Sequence, residues 1–279
     1  MWPSFQVRVP GKWVLTGEHS VLRGASAIAL PHVDYGLSLS FEPDELSDSL
    51  MIQPASATSV VLEILRSVEP SFALPSGIIR IESSIPIGAG FGSSAALCVA
   101  ITRWLAGPLG IQEDQILSFA TSLEHQFHGK SSGMDIAVIA VGKPISFSME
   151  KGPGSLDIRA IPRFTFHDTD VRARTRECIE QVQEQGRSQP VLGLRNDERM
   201  GAASRIAVEG LIHYDEGRRA QGLELIQSAM RQAQECFYSW GLVPPEAKKL
   251  ENELLSQGAL AVKMTGAGGG GMMVALWDY

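Results

Sequence analysis

The chain has 279 residues, 44% hydrophobic and 20% charged, a balance that supports a packed core and speaks against extensive disorder. Its net charge of -7 argues against the broad basic face that a nucleic acid needs, although a few local donors can hold a phosphorylated ligand in an acidic protein. The three cysteines, Cys98, Cys178 and Cys236, are far apart and outside any C-x-x-C pair, which reads as reduced thiols rather than a disulfide frame or a zinc site. The opening MWPSFQVRVPGK has no apolar signal core. The most apolar helical stretch, AALCVAITRWLAG, carries Arg103 and is too short to span a bilayer. A cytoplasmic protein with no membrane partner is expected.

The first forty residues read as strands: FQVRVP alternates, KWVLTG is short and apolar, and SAIALPHVDYGLSLSFEP forms one or two longer strands. Apolar spacing predicts a helix over Thr58 to Val68. SGIIRIESSIP is a strand that runs into PIGAGFGSSAALCVA, where Gly88, Gly90 and Gly92 precede a helix opening with serines, the residues that favour caps. A second helix spans about Asp114 to Phe127, with Ile116, Ala120, Leu123 and Phe127 on one face. HGKSSGMD follows as a loop. KGPGSLDIRAIPR is loop-rich and marks the junction between two halves, 1–160 and 161–279. FTFHDT then reads as a strand. Helices follow over about Val171 to Gln185, Asp197 to His213, Gly217 to Trp240 and Pro245 to Gln257, and the chain closes with a strand, a glycine loop and a strand.

Four places carry chemistry. Gly88 to Ser94 lie between a strand and a helix N-terminus, where unpaired N–H groups and the helix dipole form an anion site. The stretch is neither a Walker A loop nor the dinucleotide fingerprint, and a purely structural turn would also use these glycines. Lys12 and the Glu18-His19 pair flank a short apolar strand. Alternation would turn Lys12 and Glu18 to the same side, whereas an isolated lysine is ordinarily exposed. Glu124 stands next to the apolar face near the end of its helix, where a carboxylate opposes the dipole and asks for a cation. Magnesium, a hard ion preferring oxygen, suits it; His125 and His128 lack the zinc spacing. Asp135 opens IAVIAV and could simply cap a helix. Finally, KMTGAGGGG places Gly266 and Gly268 to Gly271 between two apolar strands, too tight for a linker and suited to a loop packed against a ligand.

Taken together, VPGKWVLTGEHSVLRG, PIGAGFGSSAA and KMTGAGGGG resemble, in order and over nearly the whole chain, the three motifs of the GHMP small-molecule kinases. Within that superfamily GEHSVLRG and EHQFHGKSSGMD are most similar to the mevalonate kinase family. Thr16, where an aromatic is common, and Met272, where cysteine is common, depart from it.

The resemblance implies an α+β fold of two domains, a ribosomal-protein-type N-terminal one and a ferredoxin-like C-terminal one. It implies ATP and Mg2+ as cofactors, with mevalonate as the small-molecule partner; a homodimer is compatible with it. ATP phosphates would lie on Gly88, Ala89, Gly90, Gly92, Ser93 and Ser94. Ser94 and Glu124 would hold the metal, and Asp135 and Lys12 would be catalytic. Glu18 and His19 would bind substrate, and the loop of Thr265, Gly266, Ala267, Gly268 and Gly269 would close over phosphate and substrate. Two alternatives stand beside this: a kinase of the same fold acting on phosphomevalonate or a sugar, and a non-catalytic ligand sensor.

Overall fold

The computed structural model describes residues 2–44, 46–68, 74–128 and 132–278. The chain divides into two compact units that interleave in sequence. The first holds Met1–Lys12, Pro31–Pro86 and Gly92–Gly142; the second holds Trp13–Leu30, Ile87–Phe91 and Lys143–Tyr279. Two long strands contribute to both. One is β1 (Phe5–Thr16), a single strand where the Pro10-Gly11 dipeptide suggested a break. The other is β2 (Ala27–Pro43), which pairs with β1. Pro-Gly is strong turn punctuation, but an extended backbone accepts proline wherever its missing N–H is not needed by the ladder.

In the first unit, Leu37–Pro43 of β2 pair antiparallel with β4 (Gly77–Ser83), and β3 (Leu50–Gln53) runs parallel to β4. Helix α1 (Thr58–Val68) buries Val61, Ile64 and Leu65, the one-sided stripe that its apolar spacing demands. Helices α2 (Ser93–Leu109), α3 (Ile116–His128) and α4 (Met134–Val141) pack on one another. IAVIAV in α4 has the β-branched composition of a strand. It is helical and packs against both α2 and α3, which bury Ile136, Ala137, Val138 and Ile139, while Val141 at its end is exposed. Trp104 anchors this core, with ring centroids 5.2 Å from Phe41 and 5.0 Å from Trp2.

In the second unit, Ala27–Ala29 of β2 pair antiparallel with β5 (Ile145–Ser148), and β5 pairs with β6 (Gly152–Ser155). The GPGS segment, expected to be loop, is thus a short strand, held by backbone pairing that its glycines and proline do not advertise. A second sheet has the order β7 (Arg163–Asp168), β9 (Met272–Trp277), β8 (Ala261–Met264), all antiparallel. Every residue of β8 and β9 is buried. Trp13 packs on Phe164 and Phe166 at 4.8 and 5.3 Å. The helices here are α5 (Thr175–Ser188), α6 (Pro190–Asp215), α7 (Arg219–Ser239) and α8 (Pro245–Ser256). Helix α6 begins at Pro190, ahead of the expected Asp197, because proline suits the first helical turn, whose N–H has no partner to lose. Among the described residues no helix is long and apolar enough to cross a membrane.

Candidate active site

The first unit brings Lys12 and Asp135 together. Lys12 is buried at 4% exposure, against the usual habit of lysine. Its Nζ lies 2.9 Å from Asp135 Oδ2, whose side chain keeps 34% of its surface open. The lysine is therefore fixed from below by a carboxylate that a ligand can still reach. Asp135 sits in the first turn of α4, where the helix dipole favours negative charge. It does not cap that helix: the cap residue is Gly133, in the left-handed region.

Helix α2 likewise starts from a glycine and not from its serines. Gly92 is the cap residue at φ 75°, and Ser93 and Ser94 are the first two helical residues. A Cβ on Gly92 would stand 2.9 Å from Lys12 Cγ and 3.2 Å from Ile139 Cδ1. Glycine is needed here so that the Lys12 stem can pass beneath the helix start. The start of a helix, with its N–H groups and dipole, is an environment that favours an anion.

Ser94 is also on α2, and Glu124 is buried on α3. Burial pushes the Cys98 thiol up to about 12, with the Glu124 charge as a further cause. Cys98 lies one helical turn after Ser94 on α2, a spacing that shares a face, and α2 packs on α3, which carries Glu124. A hydroxyl and a buried carboxylate are oxygen donors, the set a hard divalent ion prefers. Past Glu124, the side chains of Phe127 and His128 and the residues Gly129, Lys130 and Ser131 lie outside the described residues.

The second unit assembles Glu18, His19 and the third-motif loop. The strand alternation invoked for Lys12 and Glu18 does not extend to Glu18, because β1 ends at Thr16. Glu18 is buried, with Oε1 2.5 Å from Lys263 Nζ. His19 is held at φ 59°, an uncommon conformation for a residue with a Cβ. Its Nε2 lies 2.9 Å from the Ala267 carbonyl oxygen. A carbonyl only accepts, so Nε2 carries the hydrogen. Burial lowers the His19 pKa to about 4, against the raising effect of the Ala267 bond and with a smaller lowering by Arg23. The ring is thus neutral at neutral pH, with Nδ1 as an acceptor. It packs edge-on against Trp240 at 5.1 Å and Phe237 at 6.2 Å.

Gly88, Ala89 and Gly90 belong to this second unit and lie along the third-motif loop. A Cβ on Gly90 would meet only the Thr265 carbonyl, at 3.9 Å, and one on Gly88 nothing within 4 Å. These two glycines leave their backbone open to a ligand, unlike Gly92. Within the loop, Gly266 sits beside Gly90, and Gly268 and Gly269 are packed from behind: a Cβ on Gly269 would strike Ala173 Cβ at 2.7 Å and Cys178 Sγ at 2.9 Å. Thr265 Oγ1 accepts from Val14 N at 3.1 Å and donates to the Val14 carbonyl at 3.0 Å.

Sequence reasoning did not single out Lys263, Val14 or Trp240. Lys263 had a signal: it is a charge in the middle of ALAVKM, an apolar strand with no exposed face to receive it.

The family model described as GHMP kinases N terminal domain matches residues 57–143, and the GHMP kinases C terminal model matches residues 212–278. A mevalonate kinase of Aeropyrum pernix is 34% identical over 96% of this chain and 87% of its own. The chain belongs to the GHMP kinases. A mevalonate kinase of Pyrococcus furiosus is 29% identical over the same shares of the two chains, 96% and 87%. The crystal structure of the L. major mevalonate kinase in complex with R-mevalonate superposes with a TM-score of 0.78 over 99% of this chain and 87% of that one, at 21% identity, which shows a common fold. This GHMP kinase is accordingly an α+β, ATP-dependent small-molecule phosphotransferase.

Proposed function

We propose that this GHMP kinase transfers the γ-phosphoryl group of ATP to the primary hydroxyl of mevalonate, giving 5-phosphomevalonate and ADP. The observation that carries the reaction is the Lys12–Asp135 pair, a buried ammonium holding a half-open carboxylate at 2.9 Å. The named relatives across nearly the whole chain support mevalonate as the acceptor.

Phosphoryl transfer needs in-line positioning and charge neutralisation more than covalent chemistry. Asp135 orients the acceptor hydroxyl and takes its proton as the new O–P bond forms. The bond from the γ-phosphorus to the bridging oxygen breaks, and that oxygen leaves on ADP. Lys12 stabilises charge on the attacking oxygen and the transferred group. The backbone of Gly88, Ala89 and Gly90 and the N–H groups at Gly92, Ser93 and Ser94 hold the phosphates. His19 contacts the acceptor substrate, and the Thr265–Gly269 loop covers it. Ser94 and Glu124 would hold magnesium, which when bound neutralises the charge of the β- and γ-phosphates.

The test is coupled ADP release with ATP and magnesium against mevalonate, 5-phosphomevalonate, galactose and homoserine. Turnover with mevalonate that Asp135→Ala abolishes supports both reaction and residues. Turnover with another acceptor keeps the mechanism and moves the substrate. Binding of ATP and mevalonate without any transfer returns the ligand-sensor reading.

A further inference from the structure

Lys263 is fully buried, and its ammonium is completely used by the protein. Nζ donates to Glu18 Oε1 at 2.5 Å, to the Val14 carbonyl at 3.4 Å and to the Met264 carbonyl, which uses all three of its hydrogens. It also stands 5.4 Å from the Phe237 ring centroid. Nothing is left with which to bind a ligand. Burial lowers the lysine's pKa, and the Glu18 carboxylate opposes that.

A pair of this kind is a poor device for stability. Removing two charges from water costs several kcal/mol per ion in effective terms, on the order of what their attraction returns, and apolar residues of equal volume often serve as well. What the pair does supply is geometry. Lys263, Met264 and Thr265 are tied to Val14 and Glu18 by the ammonium and by the two-way Thr265 Oγ1 contact with Val14. From these anchors the chain runs one residue to His19 and two residues to Ala267, and there the ring closes through His19 Nε2 and the Ala267 carbonyl. His19 sits at φ 59°, and a strained backbone persists only where its surroundings over-determine it.

We propose that the buried Lys263–Glu18 pair is a positioning device that locks residues 17–19 of the first motif to residues 265–267 of the third, and so presents the His19 imidazole to the acceptor substrate in one tautomer and one orientation. The proposal rests on the proposed function, in which His19 touches the acceptor. It makes Glu18 a positioning residue that acts through His19.

The test replaces both charges with apolar groups of similar volume, in the double variant Glu18→Met with Lys263→Met, which avoids stranding either ion. The fold is checked by circular dichroism and thermal melting. The expected result is a folded protein whose KM for mevalonate rises about tenfold while its KM for ATP stays within about twofold, the pattern of lost positioning on one substrate. Nitrogen-15 shifts of the His19 ring should report a single Nε2–H tautomer in the unsubstituted protein and a mixture in the double variant. A folded double variant with unchanged mevalonate KM and an unchanged ring spectrum overturns the proposal. So does an equal rise in both KM values, which is the mark of general loosening. If the double variant does not fold, Glu18→Gln with Lys263→Met takes its place, which removes the ammonium tether and leaves a neutral amide where the carboxylate stood. The same rise in mevalonate KM and the same mixed ring spectrum are expected of it, and unchanged values overturn the proposal. If the unsubstituted protein does not phosphorylate mevalonate, the proposed function fails, while the ring spectrum, which needs no substrate, still decides whether the pair positions His19.

Discussion

Gly92→Ala offers a direct test of how the Lys12 site is built. The new methyl would meet two separate obstacles. The backbone is at φ 75°, and a residue with a Cβ loses about 1–2 kcal/mol in the left-handed region. The methyl would also stand 2.9 Å from Lys12 Cγ and 3.2 Å from Ile139 Cδ1; relieving overpacking of this size costs typically about 1–3 kcal/mol. The lysine stem is the flexible neighbour, so it is the part that moves, and it takes Nζ away from Asp135. Gly110 is the matched control at the other end of the same helix, with φ 67° and nothing within 4 Å of its Cβ position. Gly110→Ala should lose about 1–2 kcal/mol in urea titration, with kcat unchanged. Gly92→Ala should lose about 2–5 kcal/mol in all, and kcat should fall about a hundredfold, the effect expected of an ångström-scale misplacement of a catalytic group. If both folded variants keep the same kcat, the argument that Gly92 exists to seat Lys12 is wrong.

Asp135→Ala should abolish phosphoryl transfer while calorimetric ATP binding stays close to that of the unsubstituted protein; wild-type turnover would remove Asp135 from its role. Glu124→Gln should raise the magnesium concentration needed for half-maximal rate by at least about tenfold, since losing even an outer partner of a metal ligand typically costs about 10–100-fold, and an unchanged magnesium curve would take Glu124 out of the metal site. His19 links stability to pH. Its pKa is about 4 when folded against 6.5 in the free side chain, so the unfolded chain binds the extra proton first, and stability present above pH 6.5 is lost as the pH falls toward 4. Between pH 7 and 5 this amounts to about 2 kcal/mol. Denaturant titrations should show His19→Gln losing less stability over that interval than the unsubstituted protein by that amount, and parallel losses would contradict the assignment. His32 and His167, whose pKa values burial also lowers, are common to both proteins and cancel in the comparison.

Much of this protein could be read from local pattern. Apolar spacing alone marks α1 from Thr58 to Val68 with the observed bounds, and the terminal strand–glycine–strand unit is legible because a dense glycine run between two apolar strands has few other uses. The motif residues Lys12, His19, Ser94, Glu124 and Asp135 stood out through the resemblance of three motifs in order to a known family; read singly from local pattern, each also had a purely structural explanation. What failed was of one kind. The Pro-Gly of β1, the GPGS of β6 and the serines of α2 all follow local propensities that pairing or packing with distant residues overrode.

Partnership lies beyond the reach of sequence for the same reason. That Gly92 serves Lys12, while Gly88 and Gly90 leave open space, depends on which side chain passes beneath which backbone. That Lys12 pairs with Asp135 and Glu18 with Lys263 depends on contacts 123 and 245 positions apart. Sequence by itself determined most of the elements and the chemical inventory, because periodicity and residue type act over a few residues. Tertiary structure alone decided which carboxylate each buried lysine takes, because a buried charge is tolerated only where the fold delivers its counter-ion.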